Sequence, residues 1–387
     1  PSRCCSAPKL EEQCKQTRQP KLKFYSPKVW RNSKENSKME AFELMEGHYL
    51  VGNQGIYKVQ KILGEGCFGK VAKCTKLGSQ EMYAIKIIAN VQEGKEEFES
   101  MKLIQVLDPE VNHLMKMYEC FSFQNVICLV YEILEESLED FLNKNECEAT
   151  PLTCVRALAQ QMFQALKALK SIGVVHCDIK LDNIMFAEKK SLKFKLIDFG
   201  VAVETNELPI GAEIQATPFR APEVILGLPL NESIDMWALG MVLACVYCGN
   251  YPFPDDYDYE TIRAMVLYTQ FDMYNDDDHK AFIDLLKRML EVNPQRRITP
   301  SQALEHDFIT MKHLAGKAKL SCCDSFFSHQ SASKNPSKSS SSVSERNSLA
   351  KFLSNTAASL SSSSESISLL FSSKAGRTVQ ADASAQA

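Results

Sequence analysis

No apolar run in this chain reaches the roughly 18 residues that would cross a bilayer as a helix. The longest, Met236 to Cys248, holds thirteen residues and follows Asp235, a length that suits a buried helix. An excess of one charge is also lacking. The net charge of −4 over 387 residues carries no overall nucleic-acid signature. The 14 cysteines follow no regular framework, which argues against a disulfide scaffold and for a reducing compartment. Cys245 and Cys248 have CxxC spacing, but they lie in an apolar run with no second pair beside them, so core packing is the better reading than metal. No signal peptide is visible, and the chain opens on Pro1 rather than on an initiator methionine, as expected for a piece of a longer one. A hydrophobic content of 45% supports a large core. These features together predict a soluble intracellular protein without a membrane partner.

Composition divides the chain in three. Residues 1–56 carry ten Lys or Arg before position 40, with Pro8, Pro20 and Pro27, and read as a flexible basic arm. Residues 57–314 are patterned as folded structure. From Ser321 onward, 23 of 67 residues are serine, and residues 315–387 read as a tail unable to bury enough apolar surface to fold alone. Its short β-prone patch, Ser366–Phe371, is a candidate for pairing with a partner's sheet edge. Within the middle part, Gly55 to about Tyr131 is strand-rich with one helical insertion, Lys95–Leu107. The remainder shows helical spacing over Thr153–Ile172, Met236–Cys248, His279–Leu290 and Ser301–Phe308. Thr299 before Pro300 reads as a helix start with Thr299 as N-cap.

The chemistry-bearing residues cluster in that middle part. His176-Cys177-Asp178-Ile179-Lys180-Leu181-Asp182-Asn183 is followed fifteen residues later by Asp198-Phe199-Gly200. A carboxylate, a lysine and an amide lie within six positions, and a second carboxylate comes after a strand-like run. These are the parts that γ-phosphoryl transfer needs: a base, a positive charge near the phosphate, and oxygen donors for Mg²⁺. Upstream, Gly64-Glu65-Gly66-Cys67-Phe68-Gly69-Lys70-Val71 lies between apolar stretches, where glycines let a hairpin approach phosphate oxygens closely. A dinucleotide-binding turn would need a helix directly after these glycines. The residues after Gly69 are strand-like instead, and lead to the alternating run Tyr83–Ile88 with Lys86 as its charged residue.

With these motifs in this order the chain resembles the eukaryotic protein kinases, from about Tyr57 to Leu314. The resemblance implies an α+β, two-lobed protein kinase fold: a small β-rich N-lobe with one helix (57–133) and a larger α-helical C-lobe (134–314), with ATP in the cleft between them. It implies Asp178 as base, Lys180 as the charge beside the transferring phosphoryl, and Asn183 and Asp198 as Mg²⁺ ligands. Gly64, Gly66 and Gly69 would cover the phosphates. Lys86 would hold them, paired with an acid from the N-lobe helix. Of Glu96, Glu97 and Glu99, Glu99 is expected, since Leu103 and Leu107 mark the face behind it as buried; Glu96 is the alternative. Val71, Ala84 and Met185 would sandwich the adenine, Tyr131 would close the space behind it, and backbone groups of Glu132 and Leu134 would meet its edge. Ala221-Pro222-Glu223 would end the activation segment, with Arg297 pairing Glu223 and Asp235 anchoring the catalytic loop.

Phe219–Pro229, Ile234–Gly240 and Arg297–Pro300 are similar to the homeodomain-interacting protein kinases, relatives of the dual-specificity tyrosine-regulated kinases. That likeness implies a serine/threonine kinase acting on protein substrates. Arg220 implies a preference for Ser/Thr-Pro sites, with transcription regulators among the candidate substrates and no direct nucleic-acid contact. It also implies a monomer located in nucleus or cytoplasm. Cys177 stands where an arginine that clasps a phosphorylated loop is usual, Glu213 where an autophosphorylated tyrosine is usual, and Ala216, beside Thr217, where a serine usually touches the catalytic pair. These departures keep a scaffolding pseudokinase as the alternative. Cys67 and Cys177 are expected to face the ATP cleft.

Overall fold

The computed structural model of the chain describes residues 44–66, 69–145, 148–208, 211, 213–249 and 276–314. The basic segment before residue 44 and the serine-rich tail lie outside these residues, as does Cys67.

Alternation along two strands explains the first half. In β4 (Met82–Ile88) Tyr83, Ile85 and Ile87 point to one face, and in β6 (Val126–Glu132) Val126, Cys128 and Val130 join them. The opposite faces carry Ala84, Lys86 and Ile88 from β4 and Ile127, Leu129 and Tyr131 from β6. A period of two therefore gives each strand one face for an outer core and one for the cleft. The antiparallel sheet runs β1-β2-β3-β4-β6-β5, with β1 at Tyr49–Val51, β2 at Ile56–Gly66, β3 at Gly69–Lys76 and β5 at Met117–Phe123. One helix, α1 (Val91–Ile104), packs on its inner face.

Two sequence expectations shift here. The stretch 44–56 belongs to the fold rather than to a flexible arm: Leu50 is fully buried, and β1 pairs with β2. Its anchor is Glu119, whose carboxylate accepts the N–H groups of Asn53 (3.0 Å) and Gln54 (3.2 Å) and the Tyr57 hydroxyl (2.5 Å). The N-lobe helix starts four residues earlier than Lys95, because the Asn90 side chain caps the N–H groups of Gln92 and Glu93.

The second half is mainly helical: α2 (Leu138–Lys144), α3 (Leu152–Ser171), α4 (Pro222–Ile225), α5 (Ser233–Cys248), α6 (Asp277–Met289), α7 (Pro300–Leu304) and α8 (Asp307–Thr310). Between α3 and α4 lie short strands β7 (Val174–Val175), β8 (Ile184–Glu188), β9 (Lys193–Leu196) and β10 (Val203–Glu204). The helix α5 is buried on every side, as its uniformly apolar sequence requires, and Cys245 and Cys248 are core residues in it. Thr299 caps α7 in a reciprocal box with Gln302. The expected single helix to Phe308 is two, because His306 leaves helical geometry and caps α8 through its ring. Among the described residues no helix is long and apolar enough to cross a membrane.

Arg297 closes the architecture. Its guanidinium meets Glu223 through two hydrogen bonds of 2.6 and 2.8 Å, donates to Ser233 O, and lies over the Trp237 ring. Both side chains are sealed from solvent, at 0% and 1% exposure, so removing one strands the other's charge. Glu223→Ala should cost about 3–5 kcal/mol in urea unfolding. A loss below about 1 kcal/mol would show that the pair is not the buried anchor described.

Candidate active site

Asp235, near the start of α5, builds the site from below. Its oxygens accept the backbone N–H groups of His176 (2.7 Å) and Cys177 (3.0 Å). This fixes a turn in which Cys177 takes φ +67°, a left-handed conformation costly for a residue with a Cβ. Burial pushes the Asp235 carboxyl above its ordinary range, against the pull of His176 and the two N–H groups. The His176 ring accepts the Asp178 N–H at Nδ1 (3.2 Å) and donates from Nε2 to Ile197 O (2.9 Å). One imidazole thus joins the 176–183 loop to the residue preceding Asp198. Asn183 O accepts the Ile197 N–H at 2.9 Å and ties the same two segments again.

The catalytic candidates meet as the sequence predicts. Lys180 Nζ lies 2.8 Å from Asp178 Oδ2, and Asn183 Nδ2 donates to the Asp178 carbonyl (2.8 Å) and to Oδ2 (3.0 Å). The Asn183 amide nitrogen is thereby engaged, and its Oδ1 is the atom left to act as a hard donor. Burial works against the Lys180 charge, but Asp178 outweighs it and the net shift is upward. Asp198 has φ +59°, and its Oδ1 lies 3.4 Å from Lys86 Nζ. The carboxylate of Asp198 and the Oδ1 of Asn183 make an all-oxygen donor set that fits Mg²⁺, an ion that completes its shell with water and phosphate rather than a protein cage.

The glycines divide by function. A Cβ on Gly69 would stand 2.1 Å from Ile87 O, so this glycine is demanded by β3 against β4. A Cβ on Gly64 would meet nothing within 4 Å, the open side that a phosphate cradle requires. Gly66 pairs with Gly69 where the hairpin narrows. Val71, Ala84 and Lys86 share the inner sheet face, Val71 pairing with Lys86 and Ala84 with Tyr131. Met185, in β8, is half-buried. Glu132 is held from behind: Lys195 Nζ lies 2.8 Å from each of its carboxylate oxygens, and Lys116 O accepts its N–H.

The partner of Lys86 is Glu97, not Glu99. Lys86 Nζ lies 2.8 Å from Glu97 Oε1, and both side chains are largely buried. Glu99 is on the exposed side of α1 and pairs with Lys102 at 2.7 Å. The buried stripe of α1 is Gly94, Glu97, Ser100, Met101 and Ile104. Leu103 and Leu107, which pointed to Glu99, are only half-buried. The missed signal is Gly94: its Cβ would come within 2.5 Å of Ile127 Cβ, so the helix touches β6 there, and Glu97 comes one turn later. Lys86 is destabilised by burial but stabilised more by Asp198 and Glu97, so its pKa is raised. Burial also raises that of Glu97, despite Lys86 beside it.

Cys177 does not face the cleft. It is 1% exposed, its thiol lies 3.7 Å from Val175 O, and burial, then Asp235 and Asp178, pushes its pKa well up. A thiol so held is a poor nucleophile, and the cleft-facing expectation fails for this residue.

Glu97→Gln should weaken Mg-ATP affinity about tenfold or more, from the loss of a charge-assisted contact, whereas Glu99→Gln should leave it unchanged. Gly94→Ala should also weaken it, although alanine is the better helix former, because α1 must shift away from Ile127. Titration calorimetry on the three variants checks the assignment, and equal effects from Glu97→Gln and Glu99→Gln would reverse it.

A family model described as protein kinase domain matches residues 57–309. Homeodomain-interacting protein kinase 2 of Mesocricetus auratus is 31% identical over 349 residues, covering 70% of this chain and 30% of that protein. Homeodomain-interacting protein kinase 1 of Caenorhabditis elegans is also 31% identical, covering 68% of this chain and 41% of that protein. The dual specificity protein kinase YAK1 of Saccharomyces cerevisiae is 32% identical over 216 residues, 54% of this chain and 27% of that one. The matched region thus spans well under half the length of these relatives. Fold, motif order and these likenesses agree: the chain belongs to the eukaryotic protein kinases, close to the homeodomain-interacting protein kinases.

Proposed function

We propose that this chain is a catalytically competent protein kinase that transfers the γ-phosphoryl of ATP to serine and threonine hydroxyls, preferring those with proline next in sequence. The observation that carries this reading is the assembly of Lys86–Glu97, Asp178–Lys180–Asn183 and Asp198 on one cleft. Asp178 orients the attacking hydroxyl and accepts its proton. Lys180, held against Asp178, offsets charge on the phosphoryl in flight, and Lys86 holds the α/β-phosphates in line. Asn183 and Asp198 hold Mg²⁺, which when bound neutralises charge on the phosphate oxygens. Backbone groups of Glu132 and Leu134 meet the adenine edge, between Val71 and Ala84 above and Met185 below.

The preference for proline rests on Gln215. Its φ is +67°, and its carbonyl receives Arg220 Nη2 at 3.1 Å and Nε at 3.4 Å. With that acceptor already engaged, a substrate residue bearing an N–H would leave the donor unsatisfied there. Proline has no such donor.

Gln215 also bears on control. Its N–H donates to Cys177 O (3.1 Å), its Nε2 to Ile234 O (2.9 Å), and its Oε1 accepts from Ala221 N–H (2.9 Å). These bonds clasp the activation segment to the catalytic loop and α5 through backbone and side-chain amide groups. They do so where Cys177 lacks the charge to bind a phosphate and a glutamate, Glu213, stands in place of the usual tyrosine. This supports an activity that does not depend on activation-segment phosphorylation. The relatives are named for interaction with homeodomains, which makes transcription regulators in nucleus or cytoplasm the candidate substrates of a monomeric enzyme.

Transfer of ³²P from Mg-ATP to a peptide library tests the reading. Wild type should prefer Ser/Thr-Pro about tenfold or more over Ser/Thr-Ala, a discrimination of roughly 1–3 kcal/mol for an unpaired buried donor, and phosphatase treatment should not lower its rate. Asp178→Asn should abolish transfer while still binding ATP. Equal background from both proteins would make the chain a nucleotide-binding scaffold instead.

A further inference from the structure

Tyr131 is placed where its ring alone would suffice to fill space, yet it carries a hydroxyl into the buried contact between the sheet and α1. It is 4% exposed and belongs to the inner core with Met101, Ile104 and Leu129, between the sheet and α1. Opposite it in the ladder is Ala84, two residues before Lys86 on the same face. A buried phenol hydroxyl needs a partner. Among the described residues that partner is Glu97 Oε1, at 3.4 Å. The same oxygen lies 2.8 Å from Lys86 Nζ.

We infer that Tyr131 is a positioning residue for nucleotide binding: its hydroxyl donates to Glu97 and, with Lys86, holds that carboxylate and hence α1 where Glu97 meets Lys86. The inference rests on the kinase reading above and adds a residue to it. Glu97 sits on the face of a helix, and a helix can slide on its sheet. Lys86 is the nearer partner of Glu97 but is shared with Asp198 at 3.4 Å, so it does not fix the carboxylate from one direction alone. The hydroxyl comes from β6, a central strand with neighbours on both sides, and gives Glu97 a second fixed point. The groups facing Glu97 are Lys86 from β4, Tyr131 from β6 and Asp198 from the segment after β9. Of these, Asp198 repels it and the other two favour its charge, against the cost of burial. The phenol itself stays protonated, because burial and then Glu97 and Asp198 push its pKa well up. It is therefore a donor throughout the working pH range.

Tyr131→Phe removes one oxygen and keeps the ring. It should raise the dissociation constant for Mg-ATP about fivefold, the effect of one hydrogen bond to a charged acceptor. With a donor gone, the Glu97 carboxyl protonates more readily, so the acid limb of ATP binding should move to higher pH. A ring that merely packs would shift neither. In a Glu97→Ala background, where no side-chain oxygen remains to accept the hydroxyl, the same change should bring no further loss of affinity and no effect on the pH profile. Binding is read by calorimetry, so variants without transfer activity still report. Wild-type affinity and pH profile in Tyr131→Phe, or an equal loss in both backgrounds, would overturn the inference while leaving the kinase reading intact. Absence of ATP binding by the wild type would overturn both.

Discussion

The site depends on one buried carboxylate that works through backbone rather than through a charge partner. Asp235 gives both oxygens to consecutive N–H groups, and the turn they define is strained at Cys177. A left-handed non-glycine residue persists only when its surroundings over-determine it, and here the surroundings are α5. That helix is apolar all round and enclosed on every side, so it cannot rotate without opening the core. Its rigidity passes through Asp235 to His176, and from the His176 ring to Ile197 and the approach to Asp198. The positions of Asp178 and Asp198, the proposed base and metal ligand, are thus referenced to one fully enclosed element.

The loop that usually needs phosphate is held by the same framework. Ordering an activation segment requires something to offset its conformational entropy, and an arginine–phosphate contact is one means. In this chain Cys177 replaces that arginine and turns its thiol inward. The backbone of Cys177 still contributes, because its carbonyl accepts the Gln215 N–H. Gln215 is buried, and its amide bridges Ile234 and Ala221, joining three segments through hydrogen bonds that need no charge. The carbonyl turned away by its positive φ is the one that Arg220 occupies. One residue therefore links the ordering of the loop to the proposed selection of proline.

Much of this was legible in the sequence, and the reasons differ by element. The strand alternation of Tyr83–Ile88 placed Lys86 on the cleft face, because a period of two leaves no ambiguity once one face is apolar. The fixed spacings around Asp178 and Asp198 were legible because a short loop and the β8–β9 hairpin after it hold them. Glu97 was not, since three glutamates within four positions differ by 100° steps around a helix, and half-buried leucines are a blunt guide to its face. Gly94 would have decided it, read as a close approach rather than as a weak helix former. The early start of the sheet was missed because a three-residue strand has too little pattern of its own. Its anchor, Glu119, lies about 65 residues away.

Gly94 and Tyr131 matter together for a geometric reason. A helix bearing a functional carboxylate must be set in height and in rotation against the sheet. The absent side chain at Gly94 sets the height, since Ile127 occupies the space that a Cβ would need. Rotation is set less sharply by the apolar contacts of Met101 and Ile104, which have no preferred direction of their own. Directional bonds supply what dispersion lacks. Lys86 offers one, but it is a cation shared with Asp198. Tyr131 offers another from a ring with only two rotatable bonds, fixed in a central strand. The small residue and the rigid donor act on successive turns of α1, at Gly94 and Glu97, so the placement of Lys86, the proposed phosphate-binding lysine, depends on how its partner helix meets β6.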